Sequence, residues 1–218
     1  MSIEVSTFSG NMYEGLCYAK TFGLPLSGIM NIGANEGQEC SLYQALGAKH
    51  VVLVEPIPEV FEKLRNNVSE YENFCAVEAV CAEKPGEKVS FNVSSNQGES
   101  SSVLSFSKHK DYYPHINMTK TIELVTSTVD DIAAQFPAVH FDALVLDVQG
   151  FELNVLKGAT NTLKGASVVF SEVSEVPLYE NACTIIDLMQ FLHPLGFGIR
   201  WAKLNGHQYG DALFIRQN

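Results

Sequence analysis

The sequence predicts an α/β domain built on a mostly parallel sheet that ends in an antiparallel hairpin. Three observations predict it. Short apolar runs alternate with amphipathic stretches along most of the chain, turn residues close each run, and two alternating runs flank Asn205-Gly206 near the C-terminus. Apolar strands separated by helices fit βαβ units, whose sheets are covered on both faces. An Asn-Gly pair between two alternating runs is a strong hairpin signal.

The first unit reads "GIMNIGANEG". Residues 28–32 form the strand, the chain turns at Gly33 and again at Gly37, and a helix follows over 38–46. The second is "VVLVEP", with a strand over 51–54 and a helix over 58–67. A third strand is expected over 75–80. The run "VLDVQGFELNVLKGA" gives a strand over 143–147, a turn at Gly150 and a helix over 152–156. Helices over 129–135 and 184–192 and a strand over 168–172 complete the alternation. The C-terminal runs, 198 to 214, form the hairpin.

Residues 86–127 interrupt this pattern. Two alternating runs, "KVSFNV" and "TIELVT", enclose a polar segment too long for a plain connection. Long loops in compact domains often cover or bind a ligand, so this insertion is expected to be a lid on the acceptor side. The remaining chain is expected to form one domain over 1–218, with 1–27 as an N-terminal extension.

Composition sets limits on function. The 218 residues suffice for one ample core. No run approaches the ~20 apolar residues of a membrane span. The opening "MSIEVSTFSGNMYEG" has neither a basic start nor an apolar core, so no secretory signal is read and a cytoplasmic location is expected. Cysteines at 17, 40, 75, 81 and 183 form no CxxC and no metal-like spacing, which fits free thiols in a reducing compartment. A formal charge of −11 repels phosphate backbones and argues against nucleic acid as a partner.

In an open parallel sheet, ligands bind at the carboxyl ends of the strands where the strand order reverses. The turn from Gly33 to Gly37 is therefore the leading site. A dinucleotide turn wants G-x-G-x-x-G, whereas this one reads G-A-N-E-G, lacks the middle glycine and places Glu36 where phosphates would lie. A cofactor with a positive centre and no phosphate suits it better, and S-adenosylmethionine is one. Glu55 lies 22 residues past Gly33, the spacing of an acidic ribose ligand. Asp147 ends the strand expected beside the first one, at the mouth of the sheet, where a helix cap is its other possible role. Glu172 ends the next strand on the same edge.

In order and spacing, "NIGANEG", "VVLVEPIPEVFEKLRNN", "STVDDI", "LDVQGFELNVLKGA" and "DALFIR" resemble the FkbM-like methyltransferases, from about Gly28 to Arg216. The resemblance implies the Rossmann-like seven-stranded methyltransferase fold and S-adenosylmethionine as cofactor. It puts the methionine part near Gly33, Ala34, Asn35 and Gly37, the ribose at Glu55 with Pro56 beside it, the adenine near Cys81 and Ala82, and Asp147 beside the transferable methyl. Two positions depart from the pattern. Asn31 stands where the family usually has Asp, on the cofactor side, and Val145 stands at a position often occupied by Lys. The run "ESSSVL" matches a serine-rich place in the family and suggests a loop closing over the cofactor.

The chemistry expected is O-methyl transfer to a hydroxyl of a sugar, glycan or small secondary metabolite. Asp147 and then Glu172 are the candidate catalytic groups. A carboxylate, a histidine or a divalent metal can assist loss of the hydroxyl proton, though nothing in the spacing indicates a metal. Ser102, His109, Tyr112, Tyr113 and His115 of the insertion are candidate substrate contacts. Two other readings are an NAD(P)-dependent oxidoreductase or epimerase, and a cofactor-binding module without catalysis.

Overall fold

The computed structural model describes residues 10–217. The opening segment on which the secretory reading rests lies largely outside them. In chain order the elements are α1 (Asn11–Thr21), β1 (Gly28–Ile32), α2 (Cys40–Ala45), β2 (His50–Glu55), α3 (Pro58–Val68), β3 (Phe74–Glu78), β4 (Val80–Cys81) and β5 (Lys88–Ser94). They continue with α4 (His109–Tyr112), β6 (Met118–Ser127), α5 (Val129–Ala134), β7 (Ala143–Leu146), α6 (Glu152–Lys157), α7 (Thr160–Gly165), β8 (Val168–Ser174), α8 (Ile185–Leu192), β9 (Phe197–Leu204) and β10 (Tyr209–Arg216).

Seven strands form one sheet in the order β3-β2-β1-β7-β8-β10-β9. The pairs from β3 to β8 are parallel, and β10 runs antiparallel to both of its neighbours. The order reverses between β1 and β7, so the crevice at their carboxyl ends is the switch point. Alternation along the strands feeds two cores. Met30, Ile32, Leu144, Leu146 and Val169 face α5–α8. Ile29, Val51, Leu53, Val145 and Phe170 face α1–α3.

Local chemistry sets the helix ends. Pro58 occupies the first turn of α3, where its missing N–H costs nothing. Thr128 and Thr184 form reciprocal capping boxes with Asp131 and Asp187. The hairpin forms as expected, but its turn spans four residues: Gln208 N–H donates to Asn205 O, and Gln208 takes the left-handed conformation at φ 61°. Asn205 acts through its side chain, which accepts from His207 N–H, as Asx turns do.

Several elements differ from the sequence expectation. The run expected as one strand over 75–80 divides at Ala79: β3 joins the main sheet, and β4 joins β6 and β5 in a separate three-stranded sheet. The two alternating runs of the insertion are that sheet's antiparallel pair. Residues 11–21, part of the expected N-terminal extension, form α1, whose Leu16 and Ala19 are buried in the core of the main sheet. The short helices α4 and α7 were not apparent from periodicity, because neither is long enough to show one.

Candidate functional site

A cavity of about 860 Å³ opens at the switch point. The ends of β1, β2 and β7 form its floor, and the serine-rich loop and α4 of the insertion form its far wall. Its volume falls in the range of small-molecule sites.

The turn after β1 forms one side. Gly33 sits at φ +85°, and a Cβ there would lie 1.9 Å from the Asp147 carbonyl oxygen. Only glycine permits this approach of two backbones. Gly33 N–H and Ala34 N–H both donate to Val54 O, which joins the turn to β2. Asn35 Oδ1 accepts from Glu36 N–H, while its Nδ2 donates to Gln97 O across the mouth. Gly37 does not line the cavity. Its φ of +82° turns the chain into α2, and a Cβ there would crowd Leu64 at 2.8 Å.

Glu55 closes β2 and is 4% exposed. Its two oxygens accept from Asn35 N–H (3.1 Å) and Ile57 N–H (2.9 Å). Burial raises its carboxyl to about 7, against those two bonds, which favour the anion. Pro56 and Cys81 line the same end. Ala82 does not; it is buried, with its N–H on Ser127 O.

The other side is built on the "DVQG" turn. Gln149 takes the left-handed conformation (φ 56°) ahead of Gly150. Its amide nitrogen donates to Asp147 Oδ1 (2.6 Å) and to Glu172 Oε2 (2.9 Å). Tyr179 O–H donates to Gln149 Oε1 at 2.5 Å, and Ser102 O–H donates to Gln149 O at 3.0 Å. Asp147 opens onto the cavity while protein surrounds that opening. The surrounding protein, with the carboxylates of Glu152, Asp211 and Glu39, pushes its carboxyl up. Glu172 is pushed further the same way by burial and by Asp147. Asp147 is not a helix cap: Glu152 Oε1 accepts from Val148 N–H and Gly150 N–H ahead of α6.

On the insertion side, His109 is 4% exposed and stacks on Phe106 with ring centroids 4.1 Å apart. Its Nε2 shares a hydrogen bond with Ser100 Oγ, and its Nδ1 has no partner. Burial, with Lys110 and His115 nearby, lowers its pKa and favours the neutral ring. Tyr113 bonds Tyr209 hydroxyl to hydroxyl, and both line the cavity with His115.

The structure thus brings Gly33, Ala34, Asn35, Glu55, Pro56, Cys81, Asp147, Glu172, His109, Tyr113 and His115 to one cavity. Asn31, Gly37, Ala82, Ser102 and Tyr112 lie outside its lining. Asn31 is 2% exposed within β1 and pairs in register with Val145, so the two departures from the family pattern are neighbours in the buried sheet. Tyr112 stacks on His207, away from the cavity. Sequence reasoning missed Gln149, Tyr179 and Tyr209, and reached Ser100 only as part of the "ESSSVL" run. The quoted "DVQG" run contained Gln149, but its partners come from other elements. Among the described residues, no group of three or more His, Cys, Asp and Glu is arranged to hold a metal ion, and no helix is long and apolar enough to cross a membrane.

This strand order, with a glycine turn and an acidic strand end at the switch point, defines a Rossmann-like S-adenosylmethionine-dependent methyltransferase. The chain belongs to the FkbM methyltransferase family: the sequence profile of the methyltransferase FkbM domain matches residues 31–199. It is 24% identical over 171 residues, 75% of this chain and 70% of the other, to the 2-O-methyltransferase NoeI of Sinorhizobium fredii (strain NBRC 101917 / NGR234). The fold resembles ribosomal protein L11 methylase from Lactobacillus delbrueckii subsp. bulgaricus (TM-score 0.55, 11% identity, 95% of this chain and 79% of the other). It also resembles magnesium protoporphyrin IX methyltransferase from Synechocystis PCC 6803, solved with bound cofactor (TM-score 0.52, 11% identity, 93% and 76%). The oxidoreductase and cofactor-module readings give way to a methyltransferase.

The residues present fit the cofactor. Glu39, Glu55, Glu99, Asp147 and Glu172 line the cavity, and no Lys or Arg does. Such a lining attracts a sulfonium and repels the pyrophosphate of a dinucleotide.

Proposed function

We propose that this methyltransferase acts on a hydroxyl of a sugar, glycan or small secondary metabolite. The observation that carries this reading is the Asp147–Glu172 pair bridged by Gln149, beside the glycine turn and facing Tyr113 and Tyr209. Bound S-adenosylmethionine supplies a methyl group activated by its sulfonium. The residues that would hold it are the backbone of Gly33 to Asn35, Glu55 with Pro56 at the ribose, and Cys81 near the adenine.

The protein's part is then alignment and proton removal. Asp147 takes the hydroxyl proton of the acceptor. Its carboxyl, raised by its surroundings, is a stronger base than an exposed aspartate, yet Gln149 keeps one oxygen fixed. Glu172 orients the acceptor through its second oxygen. His109, Tyr113 and His115 form the acceptor wall, and residues 86–127 act as the lid. Ser102 serves indirectly by holding Gln149 O. The relative NoeI is a 2-O-methyltransferase, which favours oxygen as the accepting atom.

Release of demethylated cofactor is measured across a panel of hydroxyl, amine and thiol acceptors. Turnover restricted to hydroxyl compounds is expected. Turnover restricted to amines or thiols would overturn the reading.

A further inference from the structure

Two carboxyl groups, Asp147 and Glu172, stand on the acceptor side of the cavity. Gln149 satisfies one oxygen each of Asp147 and Glu172. Asp147 Oδ2 and Glu172 Oε1 meet no protein donor among the described residues. His109 adds an independent observation: the side chain is buried, lines the cavity, and leaves Nδ1 unpartnered while Nε2 engages Ser100 Oγ. The ring is enclosed and favours its neutral form, so it gives an anion no cation to pair with.

Among the described residues, no lysine or arginine lines the cavity. The nearest lysine in sequence, Lys110, directs its Nζ to Ile116 O (2.7 Å) and Asn117 Oδ1 (2.6 Å). Lys63 pairs with Glu36 and Lys120 with Glu59, both outside the lining. A phosphate or carboxylate here would find no lysine or arginine in the lining and two carboxyl groups that repel it when ionised, whereas sugar hydroxyls can donate to those groups as carboxylates and accept from them as acids.

We propose, resting on the hydroxyl-acceptor reading above, that this half of the site takes a hydroxyl-rich molecule bearing no negative charge. A sugar acceptor is then methylated as a free or glycosidically linked residue, and not as its phosphate or nucleoside-diphosphate ester. The reaction that supplies it is one that has already removed the phosphate, as glycosyl transfer from a nucleotide sugar does.

Two arms test this. In the first, methyl transfer is followed over matched sets: a free hexose, its methyl glycoside, its 1-phosphate and its nucleoside-diphosphate form. The neutral members are expected to exceed the anionic ones in kcat/KM by at least about tenfold. An anionic member equal to or better than its neutral counterpart overturns the inference while leaving the hydroxyl reading intact. Transfer to no hydroxyl compound overturns the hydroxyl reading itself. The second arm needs no turnover: uridine diphosphate glucose and inorganic pyrophosphate are titrated calorimetrically onto the protein loaded with demethylated cofactor. Absence of saturable binding is expected, and saturable binding of either overturns the inference.

Discussion

The side-chain amide of Gln149 donates to Asp147 Oδ1 over 2.6 Å, and the same nitrogen reaches Glu172 Oε2. A donor shared by two carboxylates favours their ionised forms and opposes the surrounding protein and mutual repulsion that raise both. Removing it in Gln149→Ala leaves burial and mutual repulsion unopposed. A hydrogen bond to a charged group contributes about 1.5–3 kcal/mol, and one pKa unit corresponds to about 1.4 kcal/mol. The acid limb of the kcat profile is therefore expected to move upward by about one pH unit or more. Gln149→Glu, which adds a third carboxyl, should move it further. Profiles recorded at saturating cofactor check this; an unmoved limb would remove Gln149 from the control of the pair.

Glu55 predicts a second pH dependence, at the other end of the cavity. Its carboxyl, ordinarily 4.5, sits at about 7 in the folded protein. Between those values the native state holds a proton that the unfolded chain has released. The contribution of Glu55 to stability without cofactor should thus fall as pH rises from about 4.5 to about 7 and level off above, by about 3 kcal/mol at most. If the ribose hydroxyls donate to the carboxylate, cofactor binding should release protons below pH 7. Calorimetry in buffers of different ionisation enthalpy reads that release. Glu55→Gln should abolish it and lessen the fall in stability over the same interval, the remainder belonging to Asp147 and Glu172, whose carboxyls are raised as well.

The fold was legible because its signals are local. The runs at Gly28–Ile32 and at 168–170 are mostly apolar and lie in strands that turns close, and the Asn205 turn joins two alternating runs. The division at Ala79 was not legible, since β4 is two residues long and exists only through its pairing with β6. At the site, Gly33, Glu55 and Asp147 follow from strand ends that topology gathers at one edge. Gln149 and Tyr179 are 30 residues apart and meet only because β8 and the segment after it fold back over the turn. Their contact has no sequence period. Cap or catalytic group was an open choice for Asp147 from sequence; α6 begins at Glu152 with no side-chain cap, and the turn amides of Val148 and Gly150 donate to Glu152.

Gly33 predicts a structural cost. A Cβ at this position would lie 1.9 Å from the Asp147 carbonyl oxygen at a φ of +85°. Backbone must move to admit it, whereas a glycine in open space with positive φ costs only about 1 kcal/mol to replace. Gly33→Ala is expected to lose clearly more than that, and to lose cofactor binding with it. Gly47, also at φ +85° but with nothing within 4 Å of a Cβ, provides the control. Denaturant titration of the two variants should separate conformational strain from collision; equal losses would mean that the contact with Asp147 relaxes freely.

Asp147 should matter more to turnover than to cofactor affinity. The glycine turn and Glu55 hold the two ends of the proposed cofactor site, and Asp147 faces the space between them and Glu172. A group that acts mainly in the transition state lowers kcat when removed and leaves ground-state binding nearly intact. Asp147→Asn preserves the shape, keeps an oxygen to accept from Gln149, and removes a charge that its surroundings disfavour. The fold should therefore survive with equal or greater stability at neutral pH. Methyl transfer should fall by roughly 10²-fold or more, the scale of general-base or electrostatic assistance, while the cofactor dissociation constant changes by less than about threefold. Both constants are measured on the same variant. Because α6 has no side-chain cap hydrogen bond to lose, a loss of activity in this variant does not trace to an uncapped helix. Near-normal turnover would move the base to Glu172, the second carboxyl of the pair.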